Sequence, residues 1–177
     1  MKNASIELRD AAVRDIPSFY RMHADPAANE AGDFTPRPKP DFFKHWKRVL
    51  KNRLCLKKAL VADGKVAGYV VSFYRTGTGE PKKREVGYWI AREYWGRGLA
   101  TEGLKRLLEV YRLRPLYARV AKTNPASLKV ALKCGFKRWK KDSYRNEAGR
   151  LVEEDVLILR GVGGVRAGAR RRARARR

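Results

Sequence analysis

The chain has 177 residues, of which 44% are hydrophobic and 34% charged, and this balance indicates a folded protein with one hydrophobic core. No apolar run approaches the roughly 20 residues that a membrane-spanning helix needs, and residues 1–6 lack the apolar core of a secretory signal. We therefore expect a cytoplasmic protein without a membrane partner.

The net charge of +24 is extreme, and part of it lies at one end. The last twelve residues hold seven arginines, and subtracting them leaves +17 on residues 1–165. Such a field attracts polyanions, including RNA, a ribosome and the phosphates of a cofactor. The composition predicts one domain at 1–160 and a disordered Arg-rich tail at 161–177, which is either an RNA or ribosome tether or a solubilising extension.

The four residues that most often bind metals, Cys55, Cys134, His23 and His45, stand far apart. None of them has the spacing of a metal-ligand cluster. We expect two free thiols and no metal.

The first elements are predicted from short patterns. Residues 6–9 predict a strand, and Asp15 is a candidate N-cap for a helix that follows it. Residues 25–40, with four prolines, predict a loop, and Asp41 is a candidate cap for a second helix. Strands at 59–62 and 66–74 flank Asp63-Gly64, a strong hairpin signal, and residues 76–81 predict a flexible link.

The second half alternates strands and helices. Residues 85–90 and 116–120 predict strands, and an apolar face containing Leu104, Leu107 and Leu108 predicts a helix between them. Another helix is predicted from Asn124 to Gly135, followed by an antiparallel pair at 136–143 and 151–159. The order indicates a mixed α/β fold rather than a regular doubly wound sheet.

A glycine-rich run, Trp95-Gly96-Arg97-Gly98-Leu99-Ala100-Thr101, precedes the Leu104 helix. A helix N-terminus presents unpaired N–H groups with partial positive charge, and glycines let a diphosphate approach them closely. The run lacks the Lys of a P-loop, and its glycines do not directly follow the strand as a Rossmann fingerprint requires. A plain structural turn is the alternative.

A second motif, Asn124-Pro125-Ala126-Ser127 with Gly135-Phe136 at its end, follows one strand later. Together the two motifs resemble the GNAT superfamily of acyl-CoA N-acyltransferases, with Trp95 in place of the usual Arg or Gln. The Gly-Tyr-Trp-Ile and Tyr-Trp-Gly-Arg-Gly sequences are similar to the branch that contains ribosomal-protein N-terminal-alanine acetyltransferases.

The resemblance implies a mostly antiparallel central sheet, flanked by helices, in which the parallel strands 86–90 and 116–120 splay apart around the pantetheine arm of acetyl-CoA. The diphosphate would meet N–H groups of the glycine-rich run. The implied coenzyme-binding residues are Tyr88, Trp89, Ile90, Trp95, Gly96, Arg97, Gly98, Leu99, Ala100, Thr101, Asn124 and Ser127.

Acetyl transfer needs a base for the amine and an acid for the thiolate. Glu85 is the candidate base, unless it is a surface carboxylate beside Lys82 and Arg84; Glu153, Glu154 and Asp155 are alternatives. The family's acid, a tyrosine, corresponds to Ala131 here. Ser127 is the candidate replacement, unless it faces solvent, and Tyr144 is a further alternative.

These observations predict an acetyl-CoA-dependent N-acetyltransferase acting on a primary amine, either the N-terminus of a protein such as a ribosomal protein or a small molecule. The alternative is a non-catalytic module of the same fold that binds CoA, RNA or the ribosome. Phe34, Phe43 and Trp46 are candidate lining residues of the acceptor pocket, with core packing as the alternative for the last two.

Overall fold

A computed structural model describes residues 6–75, 83–146 and 149–161. The predicted link at 76–81, Lys82 and the predicted tail beyond Gly161 lie outside these residues. The strands are β1 Ile6–Asp10, β2 Leu56–Ala62, β3 Lys65–Tyr74, β4 Arg84–Ile90, β5 Leu116–Ala121, β6 Lys137–Arg145 and β7 Leu151–Leu159. The helices are α1 Ile16–His23, α2 Pro26–Gly32, α3 Lys39–Lys51, α4 Leu99–Val110 and α5 Pro125–Lys133.

The seven strands form one sheet in the order β1-β2-β3-β4-β5-β7-β6. All neighbours are antiparallel except β4 and β5, which run parallel and pair only at Glu85 and Tyr117. The two strands diverge beyond that pair. This confirms the predicted fold class, including its splayed parallel strands.

Each face of the sheet carries its own hydrophobic core. On one face, α4 and α5 cover a cluster that includes Val86, Leu104 and Leu116. On the other, α1 and α3 cover an aromatic cluster that includes Phe19, Trp46 and Tyr69. Strand β4 therefore lies between two separate sets of helices, so that its alternate side chains reach different surroundings.

Local backbone signals predicted several elements correctly. Asp63 and Gly64 have φ angles of 48° and 74°, and both values suit the central positions of a tight type I′ hairpin between β2 and β3. Gly135 ends α5 with a φ of 87°, in the left-handed region that glycine adopts without strain. These confirm the predicted hairpin and the predicted helix end.

The predicted loop at 25–40 is wrong over its first half, which contains α2. The Asp25 side chain accepts a hydrogen bond from the N–H of Ala27, and Pro26 occupies the first turn, where its missing N–H costs nothing. Helix α3 likewise begins at Lys39, so Asp41 lies inside its first turn rather than capping it. In both cases prolines that we expected to break helices begin them.

Asp15 precedes α1 as predicted, but its side chain does not cap the helix. The carboxylate is buried and accepts hydrogen bonds from both Nη atoms of Arg9 at 2.8 Å and from the N–H of Ala12. Burial acts to raise the pKa of Asp15, but these hydrogen bonds outweigh it and hold the pKa below its usual value. The residue joins β1 to the turn before α1.

Candidate active site

Strand β4 divides the candidate site into two sides. Val86, Tyr88 and Ile90 pack with the clusters under α4 and α5, whereas Trp89 packs with the aromatic cluster under α1 and α3. By strand alternation, Glu85 and Gly87 share the side of Trp89. We call the first side the helix side and the second the cleft side.

The helix side begins with the glycine-rich run, residues 95–101. Gly96 and Gly98 have φ angles of 74° and 77°, and Gly98 is the N-cap of α4 with no side-chain hydrogen bond to that helix start. A Cβ atom at either glycine would meet nothing within 4 Å. The glycines thus serve the backbone turn, and no side chain caps the N–H groups at the start of α4, as an anion site requires.

Trp95 fixes this run to the sheet. Its indole N–H donates a hydrogen bond to the carbonyl oxygen of Ile90 at 2.9 Å, which ties the loop to the end of β4. Arg97 places its guanidinium over the ring of Tyr94, 5.5 Å from the centroid. The residue that departs from the family pattern therefore has a structural role in positioning the loop.

The start of α5 lies across the β4–β5 gap from β4. Asn124 caps α5 as predicted, and its Oδ1 accepts from the N–H of Ser127 at 2.8 Å. The Ser127 hydroxyl accepts a hydrogen bond from the Tyr88 hydroxyl, also at 2.8 Å. Ser127 is therefore half-buried, and its hydroxyl contacts β4.

The hydroxyl pair of Tyr88 and Ser127 was not predicted as a unit. Burial raises the pKa of Tyr88 to about 12, more than its hydrogen bond to Ser127 lowers it, so the phenol stays protonated at neutral pH. Ala131, at the position of the family's tyrosine, is buried and has no polar side-chain atom. The pair spans from β4 to α5 and brings two hydroxyls to the gap.

On the cleft side, Glu85 is not a surface carboxylate, because its side chain is only 8% exposed. It pairs with Arg119 at 3.2 Å and with Arg75 at 3.8 Å. Burial is the largest influence on Glu85 and raises its pKa despite the two arginines. The beginning of β4 thus holds a buried carboxylate that takes up a proton more readily than a free glutamate.

Arg119 gathers further carboxylates around Glu85. It contacts Asp142 at 2.9 Å and Glu154 at 3.0 Å, so Glu154 alone of the three alternative bases joins this cluster. Glu153 pairs instead with Lys122 and Asp155 with Arg138. The structure brings Glu85 and Glu154 together and separates the other two.

A cleft of about 890 Å³ opens on the cleft side of β4. Its lining comes from α1, α3, the segment between α2 and α3, β3, β4 and the end of β6, and includes Phe34, Trp46, Tyr69, Gly87, Tyr88, Trp89 and Tyr144. Phe34 and Trp46 both line this cleft, and Trp46 is also buried in the aromatic cluster under α1 and α3, whereas Phe43 lines a separate pocket on α3. The cleft is mainly aromatic and reaches the strand that separates it from the glycine-rich run.

Two histidines lie in the cleft. His23 stacks on Trp89 with ring centroids 4.8 Å apart, and its buried Nδ1 atom has no hydrogen-bond partner in the described structure. Burial, followed by the charge of Arg37, lowers the pKa of His23 and brings that of His45 to about 4. Both rings are neutral at pH 7 and can each donate one hydrogen bond.

Neither a metal-binding cluster nor a membrane-spanning helix occurs within the described residues. No three or more His, Cys, Asp or Glu side chains there lie close enough to hold a metal ion. In the same part of the chain, no helix combines the length and the apolar composition that crossing a membrane requires.

Comparison with known proteins gives a family match. A model of the acetyltransferase (GNAT) domain matches residues 5–137, about three quarters of the chain. No curated protein matches the sequence.

Solved structures share the fold. An N-acetyltransferase from Staphylococcus aureus Mu50 has a TM-score of 0.71 at 19% identity, over 88% of this chain and 98% of its own. The ribosomal-protein-alanine N-acetyltransferase from Brucella melitensis has a TM-score of 0.70 at 18% identity, over 87% and 99%. The microcin C7 self-immunity acetyltransferase MccE, solved with acetyl-CoA and AMP, has a TM-score of 0.72 at 17% identity, over 88% and 92%. At these identities the likeness establishes the fold alone.

Proposed function

Because the chain belongs to the GNAT family of acetyltransferases, and is thus an acetyl-CoA-dependent N-acetyltransferase, we propose that its acceptor is a primary amine bound in the aromatic cleft. The observation that carries the proposal is the position of β4. On one side of this strand lies the start of α4, where Gly98 is the N-cap and no side chain caps the helix. On the other side lies the cleft. A coenzyme held on the helix side would reach an amine on the cleft side at the gap between β4 and β5.

Backbone groups account for most of the proposed coenzyme contacts. The diphosphate accepts hydrogen bonds from N–H groups of Arg97, Gly98, Ala100 and Thr101 at the start of α4. The pantetheine arm lies along β4 where the ladder to β5 has ended, in the manner of an added strand. Asn124 uses its Oδ1 within α5, so its side-chain N–H₂ is the group left to donate to the arm.

Acetyl-CoA supplies a thioester, whose carbonyl carbon the amine nitrogen attacks, so that a C–N bond forms and the C–S bond breaks. A lysine-like or N-terminal amine carries a proton that must leave first. Glu85 accepts it, directly or through water, because burial gives its carboxylate a raised pKa. Arg119 positions the carboxylate by holding one of its oxygens.

The departing sulfur needs a proton on the other side of β4. Ser127 donates it and is resupplied by Tyr88, whose hydroxyl lies 2.8 Å from the serine oxygen. The second proton that the amine nitrogen loses on becoming an amide returns to Tyr88 through the cleft, which Tyr88 lines. The Tyr88–Ser127 pair takes the role of the family's tyrosine, whose position is occupied here by Ala131. A thiolate is a good leaving group, so the assistance required is modest.

For the acceptor itself, a protein N-terminus, such as that of a ribosomal protein, is the candidate favoured by the sequence. The Gly-Tyr-Trp-Ile segment of β4 and the shared fold with the Brucella enzyme support it. A small-molecule amine fits the same cleft.

Two measurements test the proposed function. Calorimetry with CoA should detect binding, and thiol release from acetyl-CoA should depend on an added amine that gains 42 Da, about the mass of one acetyl group. Tight CoA binding without acetylation of any amine, protein or small, would instead favour a non-catalytic module. Absence of CoA binding would contradict the assignment of the helix side.

A second role, contact with RNA, is favoured by the outer face of α3. The basic residues there are Lys44, Lys47, Arg48 and Lys51, which line a shallow pocket with Phe43. Replacing Lys47 and Lys51 by Gln should reduce the salt dependence of RNA binding measured by filter retention. The same reduction in a variant that lacks residues 166–177 alone would assign the contact to the tail.

A further inference from the structure

We infer that the acceptor amine carries an anionic oxygen group, such as a carboxylate, which Arg37, His45 and Tyr69 bind in the cleft. The inference rests on the proposed function, since it concerns the substrate of the same site. It limits the acceptor to amines that also carry a negatively charged group.

Arg37 is the cation of this anion site. It lines the cleft in the segment between α2 and α3, and no carboxylate forms an ion pair with it anywhere in residues 6–75, 83–146 and 149–161. The exposed Arg37 side chain lines the same cleft as His23, His45 and Tyr69. Its charge acts to lower the pKa of each of the three rings, although burial leaves that of Tyr69 raised. Arg37 therefore gives the cleft a positive charge that no described carboxylate neutralises.

Neutral hydrogen-bond donors line the same cleft as this cation. The Tyr69 side chain is buried, its hydroxyl has no partner among the described residues, and burial raises its pKa, so it keeps its proton. His45 is neutral at pH 7 and likewise has no described partner. One guanidinium with a phenol and an imidazole matches the several acceptor sites of a carboxylate or a similar oxyanion.

A cationic acceptor would find little attraction in the same cleft. Asp33 is the only carboxylate among its described lining residues, and Arg150 holds it in an ion pair. The nearby carboxylates of Glu85, Asp142 and Glu154 are matched by Arg75, Arg119 and Lys140. Charge complementarity therefore favours an anionic amine and disfavours a polyamine.

Two sources could supply this chemistry, a free amino acid through its α-carboxylate or a peptide N-terminus followed by an acidic side chain. The experiment compares acceptors that differ only in this charge: alanine with alanine amide, and the peptide Ala-Glu-Ala amide with Ala-Gln-Ala amide. Spermidine serves as the polyamine. We expect kcat/KM at least about tenfold higher for the anionic member of one pair, which identifies the source, and lowest for spermidine.

Arg37→Gln should remove most of this preference by raising KM for the anionic acceptor about tenfold, with kcat and the neutral acceptor little changed. Arg21→Gln is the matched control, since it removes the same charge from exposed α1, where Arg21 contacts only the Ser18 hydroxyl. The inference would be overturned if Arg37→Gln lowered kcat/KM equally for the anionic and the neutral acceptor, or if Arg21→Gln had the same effect as Arg37→Gln. A preference of the parent for neutral or polyamine acceptors would overturn it as well.

A binding measurement separates failure of the inference from failure of the proposed function. Calorimetry on the CoA-loaded protein should show the anionic compounds binding more tightly to the parent than to Arg37→Gln, whether or not acetyl transfer follows. Such binding without transfer would contradict only the catalytic proposal. Transfer without charge preference, or anion binding unaffected by Arg37→Gln, would contradict only the anion site.

Discussion

The two sides of strand β4 are built in different ways. The helix side consists of backbone groups, two glycines at positive φ and a helix start, all within residues 95–101. The cleft side consists of aromatic and titratable side chains from segments as far apart as His23 and Tyr144. We propose that the coenzyme, which is common to the whole family, binds the first side and that the individual acceptor binds the second. The two sides should therefore respond differently to substitution.

The largest effect is expected on the helix side. Gly98→Glu introduces a Cβ atom at a φ of 77° and a negative charge at the proposed diphosphate site. Loss of two charge-assisted hydrogen bonds of about 1.5–3 kcal/mol each should weaken CoA binding about 1,000-fold, measured by calorimetry.

Gly64→Glu is its control, because Gly64 has a φ of 74°, is equally open, and lies in the β2–β3 hairpin. Both variants should lose about 1 kcal/mol of stability, but only Gly98→Glu should lose CoA affinity. Equal CoA affinities for the two variants would show that the helix side does not bind the diphosphate.

The second largest effect is expected on the cleft side. Glu85→Gln keeps the shape but removes the proton acceptor, so kcat should fall about 100-fold with KM for acetyl-CoA unchanged. The rate of the parent should rise with pH through the raised pKa of Glu85, and the variant should lose that rise. Steady-state kinetics from pH 5 to 9 measures both.

Glu154→Gln serves as the comparison for Glu85, since both carboxylates contact Arg119. It should change kcat less than about threefold, because Glu154 lies on β7 and not on β4. A larger loss of kcat in Glu154→Gln than in Glu85→Gln would identify Glu154 as the base.

A smaller effect tests the hydroxyl pair at the boundary between the two sides. Tyr88→Phe and Ser127→Ala should each lower kcat about tenfold, below the usual value for acid catalysis because a thiolate leaves readily. The double variant should lose no more than either single one, since both act through one proton path. Additive losses, or none, would show that the pair does not protonate the thiolate.

The smallest effect concerns stability in the cleft. In the folded protein His45 has a pKa of about 4 against an ordinary value of 6.5, so between these values the unfolded chain takes up a proton that the folded one does not. The free energy of unfolding should therefore fall as pH drops from about 6.5 to 4.

In the His45→Gln variant, the free energy of unfolding should fall by about 1 kcal/mol less over this pH range than in the parent. The figure is reduced for the partial exposure of the ring. Urea unfolding at pH 7, 5.5 and 4 measures it. Identical pH slopes for parent and variant would show that His45 is not shielded in the cleft.

The sequence predicted what local backbone patterns encode. The Asp63-Gly64 hairpin, the cap at Asn124 and the end of α5 at Gly135 each depend on a few adjacent residues, and the structure has all three. The glycine-rich run was identified for the same reason. Helix α2 was missed because its prolines suggested a loop, although a proline in the first turn is compatible with a helix.

Contacts between distant segments could not be predicted in this way. Tyr88 and Ser127 are 39 positions apart, and only the meeting of β4 with α5 joins their hydroxyls. Glu85 was selected, but its burial and its bond to Arg119 follow from the pairing of β4 with β5. Arg37 has no local signal in the sequence, since its proposed role depends on the histidines and the tyrosine that line the same cleft.

The single pair between Glu85 and Tyr117 also has a consequence for how the protein melts. It leaves the sheet as two blocks, β1–β4 and β5–β7, with few shared backbone bonds. A coenzyme arm bound in this gap, as we propose, would add a strand between the two blocks and stabilise the folded protein. At a coenzyme concentration 100 times its Kd, such binding adds about 2.7 kcal/mol to the free energy of unfolding, so the chain purified without coenzyme should unfold at a lower temperature.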